Sequence, residues 1–228
     1  QIYGMDMQAG TEGDVSNFPT PDELWEMVFG AELLANPTQE ILKETLLAIP
    51  FEDRGGTWQP RYYQENAITN VLEAVAENKN RILLTLATGT GKTRTAIALV
   101  DVLMKANVVQ KSLFLADRTS LVNQAHNAFK ANLKDASFVN LLEDKNQVGR
   151  VYFSTYQTMI GLIDEKNADG TRQFGTGMFD LIIIDEAHRS VYEKFGEIFK
   201  YFDSLLVGLT ATPRDEVDRD TYALFGLE

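Results

Sequence analysis

Residues Arg81 to Thr93 read RILLTLATGTGKT. A short run of aliphatic and β-branched side chains reads as a buried strand, and it breaks into a loop of alternating threonine and glycine closed by a lysine. Beyond it, residues 92–106 carry apolar side chains at helical spacing, so the loop lies between a strand and the first turn of a helix. That setting dictates a chemistry. Gly89 and Gly91 let main-chain N–H groups turn inward, the helix N-terminus adds the positive end of its dipole, and Lys92 supplies a full charge. Together with Thr88 and Thr90 they form a cradle for the phosphates of a nucleotide such as ATP, and Thr93 offers a hydroxyl to the accompanying Mg²⁺. The general pattern has glycine where Leu86 stands, a departure that leaves the cradle intact.

The same rhythm extends on both sides. The spacing predicts a helix over 60–78, the strand RILLTL, a helix over 92–106, the strand SLFLA, a helix over 118–131 and a strand in SFVNLL. RVYFS and LIII follow as strands, then a helix over 190–201 and the strand LLVGLT. Continuous apolar runs alternating with amphipathic helices predict an α/β fold, a mainly parallel sheet with helices on both faces. Functional groups then gather at the carboxyl ends of the strands. Upstream, residues 1–17 read as loop, and Thr20-Pro21-Asp22-Glu23 opens a helix running to Phe29. Asn36-Pro37 repeats the device before ILKETLLAI, which stops near Pro50. FEDRGG reads as a linker, dividing a helical leader (1–55) from the phosphate-binding domain (56–228).

The formal charge is −12, and it is unevenly spread. Residues 1–50 hold 9 Asp/Glu and 1 Lys/Arg (1 − 9 = −8), leaving 24 acids and 20 bases (−4) for the rest. The main body is therefore near balance but has no basic stripe, which argues against tight nucleic-acid binding by this chain alone. The absence of cysteine excludes disulfides and thiolate metal sites and suits a cytoplasmic protein. No apolar run approaches the roughly 18 residues of a membrane span, and the N-terminus has no secretory core. The first residue is Gln and the chain stops at FGLE, as expected of a piece of something longer.

A second stretch, LIIIDEAHRS (residues 181–190), runs a buried strand into two adjacent acids. A strand end beside a magnesium–nucleotide loop needs a metal-binding carboxylate, which suits Asp185, and a group to polarise water, which suits Glu186.

ATGTGKT, DEAH and GLTATP in this order resemble the first RecA-like domain of superfamily 2 helicases and translocases. The resemblance implies that His188 couples the nucleotide site to Thr210-Ala211-Thr212. It gives RYYQ an adenine-recognition role through Arg61 and Gln64, an amide being able to pair with the N6 and N7 edge of adenine. It also makes LADRTSLVNQA and STYQTM nucleic-acid contacts, with Arg118, Ser154 and Thr155 meeting the phosphate backbone. The wording of these motifs, with the leader FPTPDELWEMVFG and the junction FEDRGGTWQPRYYQENAI, is most similar to the motor (R) subunit of type I restriction enzymes. That family implies ATP-dependent translocation of double-stranded DNA before cleavage, with specificity and methyltransferase subunits as partners. It places a second motor domain with its arginine finger, and a nuclease domain, outside these residues.

Two other readings stand beside it. One is another superfamily 2 motor, such as a repair helicase or a type III restriction subunit. The other is a nucleotide-gated binding module that does not hydrolyse, against which Lys92 and Glu186 together speak. Pro21-Asp22 with Glu77-Asn78-Lys79 or Glu143-Asp144-Lys145 does not make a nuclease, because the first pair suits a helix start and both triplets fall at loop edges of the motor domain. Val191, Phe195, Ile198 and Phe202 form a core stripe, and His126 reads as solvated.

Overall fold

The structure is a computed structural model and describes residues 2–6, 11–15, 39–50, 59–133, 136–166, 170, 172–186 and 189–211. Its first elements differ from expectation. Where residues 1–17 read as loop, β1 (Ile2–Asp6) and β2 (Thr11–Val15) pair antiparallel, with Ile2 opposite Val15 and Gly4 opposite Gly13. A main-chain ladder does not require the apolar alternation by which strands are recognised in sequence, and here glycine sits across from glycine. This ladder belongs to a compact unit of its own, Gln1–Leu42. The helix expected from Thr20 to Phe29 lies outside the described residues.

Helix α1 (Gln39–Ala48) matches the second expected leader helix. The second compact unit starts within it, at Lys43, upstream of the boundary near 55 that composition suggests. The reason is visible in its contacts. Lys43 pairs with Glu73 at 2.8 Å, Lys105 donates to the Pro50 carbonyl at 3.3 Å, and Leu46 is fully buried.

From there the order is α2 (Tyr62–Ala76), β3 (Arg81–Thr85), α3 (Lys92–Lys105), β4 (Ser112–Ala116), α4 (Thr119–Asn132) and β5 (Phe138–Asn140). It continues with β6 (Val151–Thr155), α5 (Tyr156–Asp164), β7 (Leu181–Asp185), α6 (Arg189–Tyr201) and β8 (Leu205–Thr210). The six strands β3 to β8 form one sheet in the order β3-β8-β7-β4-β6-β5, and every pairing in it is parallel. Strands β4 and β6 are buried along their whole length, the signature of a sheet covered on both sides.

Side-chain alternation shows the two coverings. Leu113, Leu115, Tyr152, Ile182, Ile184 and Leu206 point to one face, where they meet Tyr156, Met159 and Leu162 of α5 and Phe195, Ile198 and Phe199 of α6. Phe114 and Phe153 point to the other, with ring centroids 5.8 and 5.2 Å from Phe129 of α4. Of the predicted stripe, Phe195, Ile198 and Phe202 are buried as core, and the Val191 side chain lies outside the described residues. His126 departs from its reading as solvated: its ring lies 5.3 Å from that of Phe153, and burial holds its pKa below the ordinary value.

The ladder registers decide what meets at the carboxyl edge. Thr85 pairs with Thr210, and Asp185 pairs with Leu209. The ends of β3, β8 and β7 are therefore level, with the phosphate loop, the Thr210 segment and the acid pair side by side.

Phe153 is fully buried between Phe114, Phe129 and His126. Phe153→Ala is expected to destabilise the domain by about 3–5 kcal/mol, the cost of a large aromatic cavity. Chemical denaturation measures it, and a loss below about 1 kcal/mol would mean that this face of the sheet is not a packed core.

Candidate active site

The loop after β3 has the geometry its glycines foretell. Gly89 and Gly91 adopt φ of +77° and +89°, left-handed values that favour glycine. Gly91 is the N-cap residue of α3 and no side chain caps that helix, so its first N–H groups remain available to an anion. Thr90 tightens the turn by donating its hydroxyl to the Ala87 carbonyl at 2.6 Å. Leu86 is buried, which accounts for an aliphatic residue at this entry position.

The Gln64 side chain, expected at adenine, is engaged within the protein. It is only 4 % exposed, and both ends of its amide are committed within the protein. Its Oε1 accepts from the Arg61 main-chain N–H at 2.9 Å, and its Nε2 donates to the Thr90 carbonyl at 2.8 Å. Gln64 thus ties the start of α2 to the phosphate loop. Arg61 donates to the Tyr63 hydroxyl at 2.9 Å, and Tyr62 is left broadly exposed beside them. A Cβ on Gly91 would lie 2.6 Å from Gln64 Nε2. The end of a glutamine usually yields to such a clash, but this one is held by two hydrogen bonds.

Across the sheet edge, Lys92 Nζ lies 2.6 Å from Glu186 Oε1. Glu186 itself has φ +56°, a left-handed conformation uncommon outside glycine. Asp185, at the end of β7, is held above its ordinary value of 3.8 by burial and by the neighbouring Glu186 carboxylate, effects that Lys92 and the Glu186 N–H only partly offset. A carboxylate so placed lacks enough positive charge around it. Among the described residues no group of three or more His, Cys, Asp or Glu gathers to hold a metal. Magnesium commonly takes one or two carboxylates and completes its shell with phosphate and water. The open α3 terminus, Lys92 and the under-compensated Asp185 fit a magnesium-bound nucleoside triphosphate.

The remaining expected residues divide. Thr210 is buried, and its carbonyl accepts from the Leu86 N–H at 2.9 Å, so the end of β8 and the phosphate-loop entry share a hydrogen bond. Ala211 follows it, while His188 and Thr212 lie outside the described residues. Arg118 is the N-cap residue of α4, and its exposed side chain makes no capping hydrogen bond but lies with Nε 4.0 Å from Asp117 Oδ2. Ser154 is different: it is fully buried and donates its hydroxyl to the Thr155 carbonyl at 3.1 Å, so the hydroxyl faces the interior. Thr155, also buried, is the N-cap of α5 and accepts from the Thr158 N–H at 3.2 Å. The turn that starts a helix here spends both hydroxyls on local structure.

A family model described as "Type III restriction enzyme, res subunit" matches residues 57–215. The chain belongs to that family. Within it, the chain is homologous to the "Type I restriction enzyme EcoAI endonuclease subunit" of Escherichia coli, being 35 % identical over 216 residues. That match covers 93 % of this chain and 26 % of the relative, so the chain spans about a quarter of the protein it matches. Because it extends over 93 % of the chain, it takes in most of the leader, which the family model starting at residue 57 does not. Among solved structures, a fragment designated the HsdR subunit of a type I restriction enzyme from Vibrio vulnificus YJ016 is 33 % identical, with a TM-score of 0.60. It covers 97 % of this chain and 38 % of that one. The Type ISP restriction-modification enzyme LlaGI, a nuclease-deletion mutant in complex with a DNA substrate mimic, is 25 % identical with a TM-score of 0.56, covering 75 % and 19 %. The fold of this family member is thus the RecA-like one expected from the motifs.

Missed in the sequence was Tyr156. It reads as one residue of STYQTM, yet it is buried and its hydroxyl donates to the Asp185 carbonyl at 2.9 Å. Nothing in the chain order points to a contact across 29 residues.

Gly91→Ala combines an adverse φ with the Gln64 contact. A left-handed alanine costs about 1–2 kcal/mol, so affinity for ATP is expected to fall about tenfold or more. Titration with a fluorescent ATP analogue measures it, and unchanged binding would mean that the loop conformation does not set affinity.

Proposed function

We propose that this chain is the first motor domain of the R subunit of a type I restriction enzyme. In that subunit it hydrolyses ATP to drive translocation of double-stranded DNA, and a nuclease domain beyond these residues then cuts. The observation that carries the reading is Lys92 Nζ at 2.6 Å from Glu186 Oε1, which puts the phosphate-binding charge and the water-polarising carboxylate at one point.

The chemistry follows from the residues. Main-chain N–H groups at Gly89, Thr90 and Gly91 and the Lys92 ammonium hold the triphosphate, with Thr88 lining the loop. Thr93 and Asp185 would hold a Mg²⁺ ion, which would supply positive charge to the phosphate oxygens. A triphosphate entering the loop competes with Glu186 for Lys92, and the carboxylate so released is free to orient water and take its proton. Water oxygen joins the γ-phosphorus, the bond to the β-phosphate oxygen breaks, and the products are ADP and phosphate. His188 and Thr210-Ala211-Thr212 report the state of the γ-phosphate to the second motor domain, and the Leu86–Thr210 hydrogen bond supports this route. Arg118, exposed at the start of α4, remains the best placed of the expected contacts to the DNA backbone. Ser154 and Thr155 reach DNA only if α5 gives up its present capping. Adenine recognition by Arg61 and Gln64 would draw on the second Nε2–H and the remaining Oε1 lone pair of Gln64, whose bond to the Thr90 carbonyl links base binding to the loop.

Target recognition then belongs to a specificity subunit and methylation to another, as expected of a cytoplasmic assembly. No helix of the described residues is long and apolar enough to cross a membrane. The homology over the leader favours this reading over a type III subunit or a repair helicase.

In the full-length subunit, Lys92→Ala and Glu186→Gln should each reduce DNA-dependent ATP hydrolysis by about 10²–10⁴ and abolish translocation. A triplex-displacement assay tests both, and DNA motion by either variant would refute the assigned roles. The 228-residue chain by itself should turn over ATP about 10³–10⁵ more slowly than the full subunit, for want of an arginine finger. DNA-stimulated turnover of the isolated chain at the full subunit's rate would overturn that expectation.

A further inference from the structure

The Asp185–Glu186 peptide is the critical piece of main chain in the site, because it carries the metal-binding and the water-polarising carboxylates on consecutive residues. Its geometry is unusual, since Glu186 has φ +56°. A residue of this kind persists in that region only when its surroundings hold it. Lys92 holds the Glu186 carboxylate and the Asp185 side chain takes the Glu186 N–H, while the carbonyl of the same peptide is held from α5. Tyr156 is 1 % exposed, and its hydroxyl donates to the Asp185 carbonyl, the oxygen of that very peptide, at 2.9 Å.

The tyrosine ring is anchored as firmly as its hydroxyl. It stacks on Phe195 of α6 with centroids 5.3 Å apart and planes 16° from parallel, and meets Phe199 edge-on at 6.4 Å. One side chain thus grips the chain just before Glu186, through Asp185, and again at Phe195 in the helix that follows. Burial and the adjacent acids Asp185, Asp117 and Glu186 push its hydroxyl well above its ordinary value of 10, so it remains a proton donor throughout the working pH range.

We infer that Tyr156 is a positioning residue for ATP hydrolysis, its hydroxyl fixing the Asp185–Glu186 peptide so that the Glu186 carboxylate points at the phosphate loop. Tyr156 acts through main chain, by way of the Asp185 carbonyl. The inference rests on the hydrolytic reading of the site given above. Its consequence is a division of effects. Loss of the hydroxyl leaves phosphate binding to Gly89, Gly91 and Lys92, but loosens the group that polarises water.

The test uses the full-length subunit with duplex DNA, comparing wild type with Tyr156→Phe, which keeps the ring stack and removes one hydrogen bond. The expected result is a kcat for ATP hydrolysis lowered about tenfold, the equivalent of one buried hydrogen bond, with KM for ATP and the thermal midpoint little changed. In a Glu186→Gln background the same substitution should alter the residual single-turnover rate by less than about twofold, because the group it positions is already gone. A kcat equal to wild type, a parallel loss of ATP binding and thermal stability, or a full tenfold effect in the Glu186→Gln background would each overturn the inference alone. Absence of DNA-dependent hydrolysis in the wild-type subunit would instead overturn the motor reading, and the inference with it.

Discussion

Everything at the active edge depends on β8 being inserted between β3 and β7. Its ladder sets Thr210 against Thr85 on one side and Leu209 against Asp185 on the other. Parallel strands about 4.8 Å apart leave room for one strand between the phosphate loop and the acid pair. That separation lets Lys92, on the first turn after the loop, reach Glu186 at 2.6 Å. With β7 directly beside β3 the two motifs would crowd each other; with two strands between them the lysine could not reach. The inserted strand also ends in Thr210, whose carbonyl takes the Leu86 N–H.

Charge at this edge is balanced between three groups. Asp185 bears a burial penalty that neither Lys92 nor a main-chain N–H cancels, while the Lys92 charge is already directed at Glu186. Such an arrangement favours a ligand that brings both signs: polyphosphate for the lysine and a divalent cation for the aspartate. A polyphosphate alone would leave the Asp185 penalty in place, whereas the cation offsets it.

Several side chains whose type suggests ligand contact hold the scaffold instead. Gln64 spends its amide on Arg61 and Thr90, Ser154 turns inward, and Thr155 caps α5. These uses are compatible with function at one remove. A loop held by Gln64 loses less freedom when phosphate arrives, and a capped α5 gives Tyr156 a rigid base from which to hold the Asp185 carbonyl. The exposed Arg118 and Tyr62 are the better placed to meet a partner.

Local chemistry made much of this legible in advance. RILLT, SLFLA and LLVGLT announce themselves as strands because a sheet buried on both faces needs continuous apolar runs, and the helix after GKT follows from its 3.6-residue period. The phosphate loop is readable because left-handed turns demand glycine and phosphate demands N–H groups and a lysine. The β1–β2 ladder was not readable, since pairing between main-chain groups leaves little trace in side chains. By itself, then, the sequence determined the class of fold, the strand–loop–helix setting of Gly89, Gly91 and Lys92, and Asp185 at a strand end. Only the tertiary structure decided strand order, the inward turn of Ser154, the tie between Gln64 and Thr90, and the reach of Tyr156 to Asp185. Those depend on contacts between residues far apart in the chain, whose geometry exists only once the sheet has brought their strand ends level.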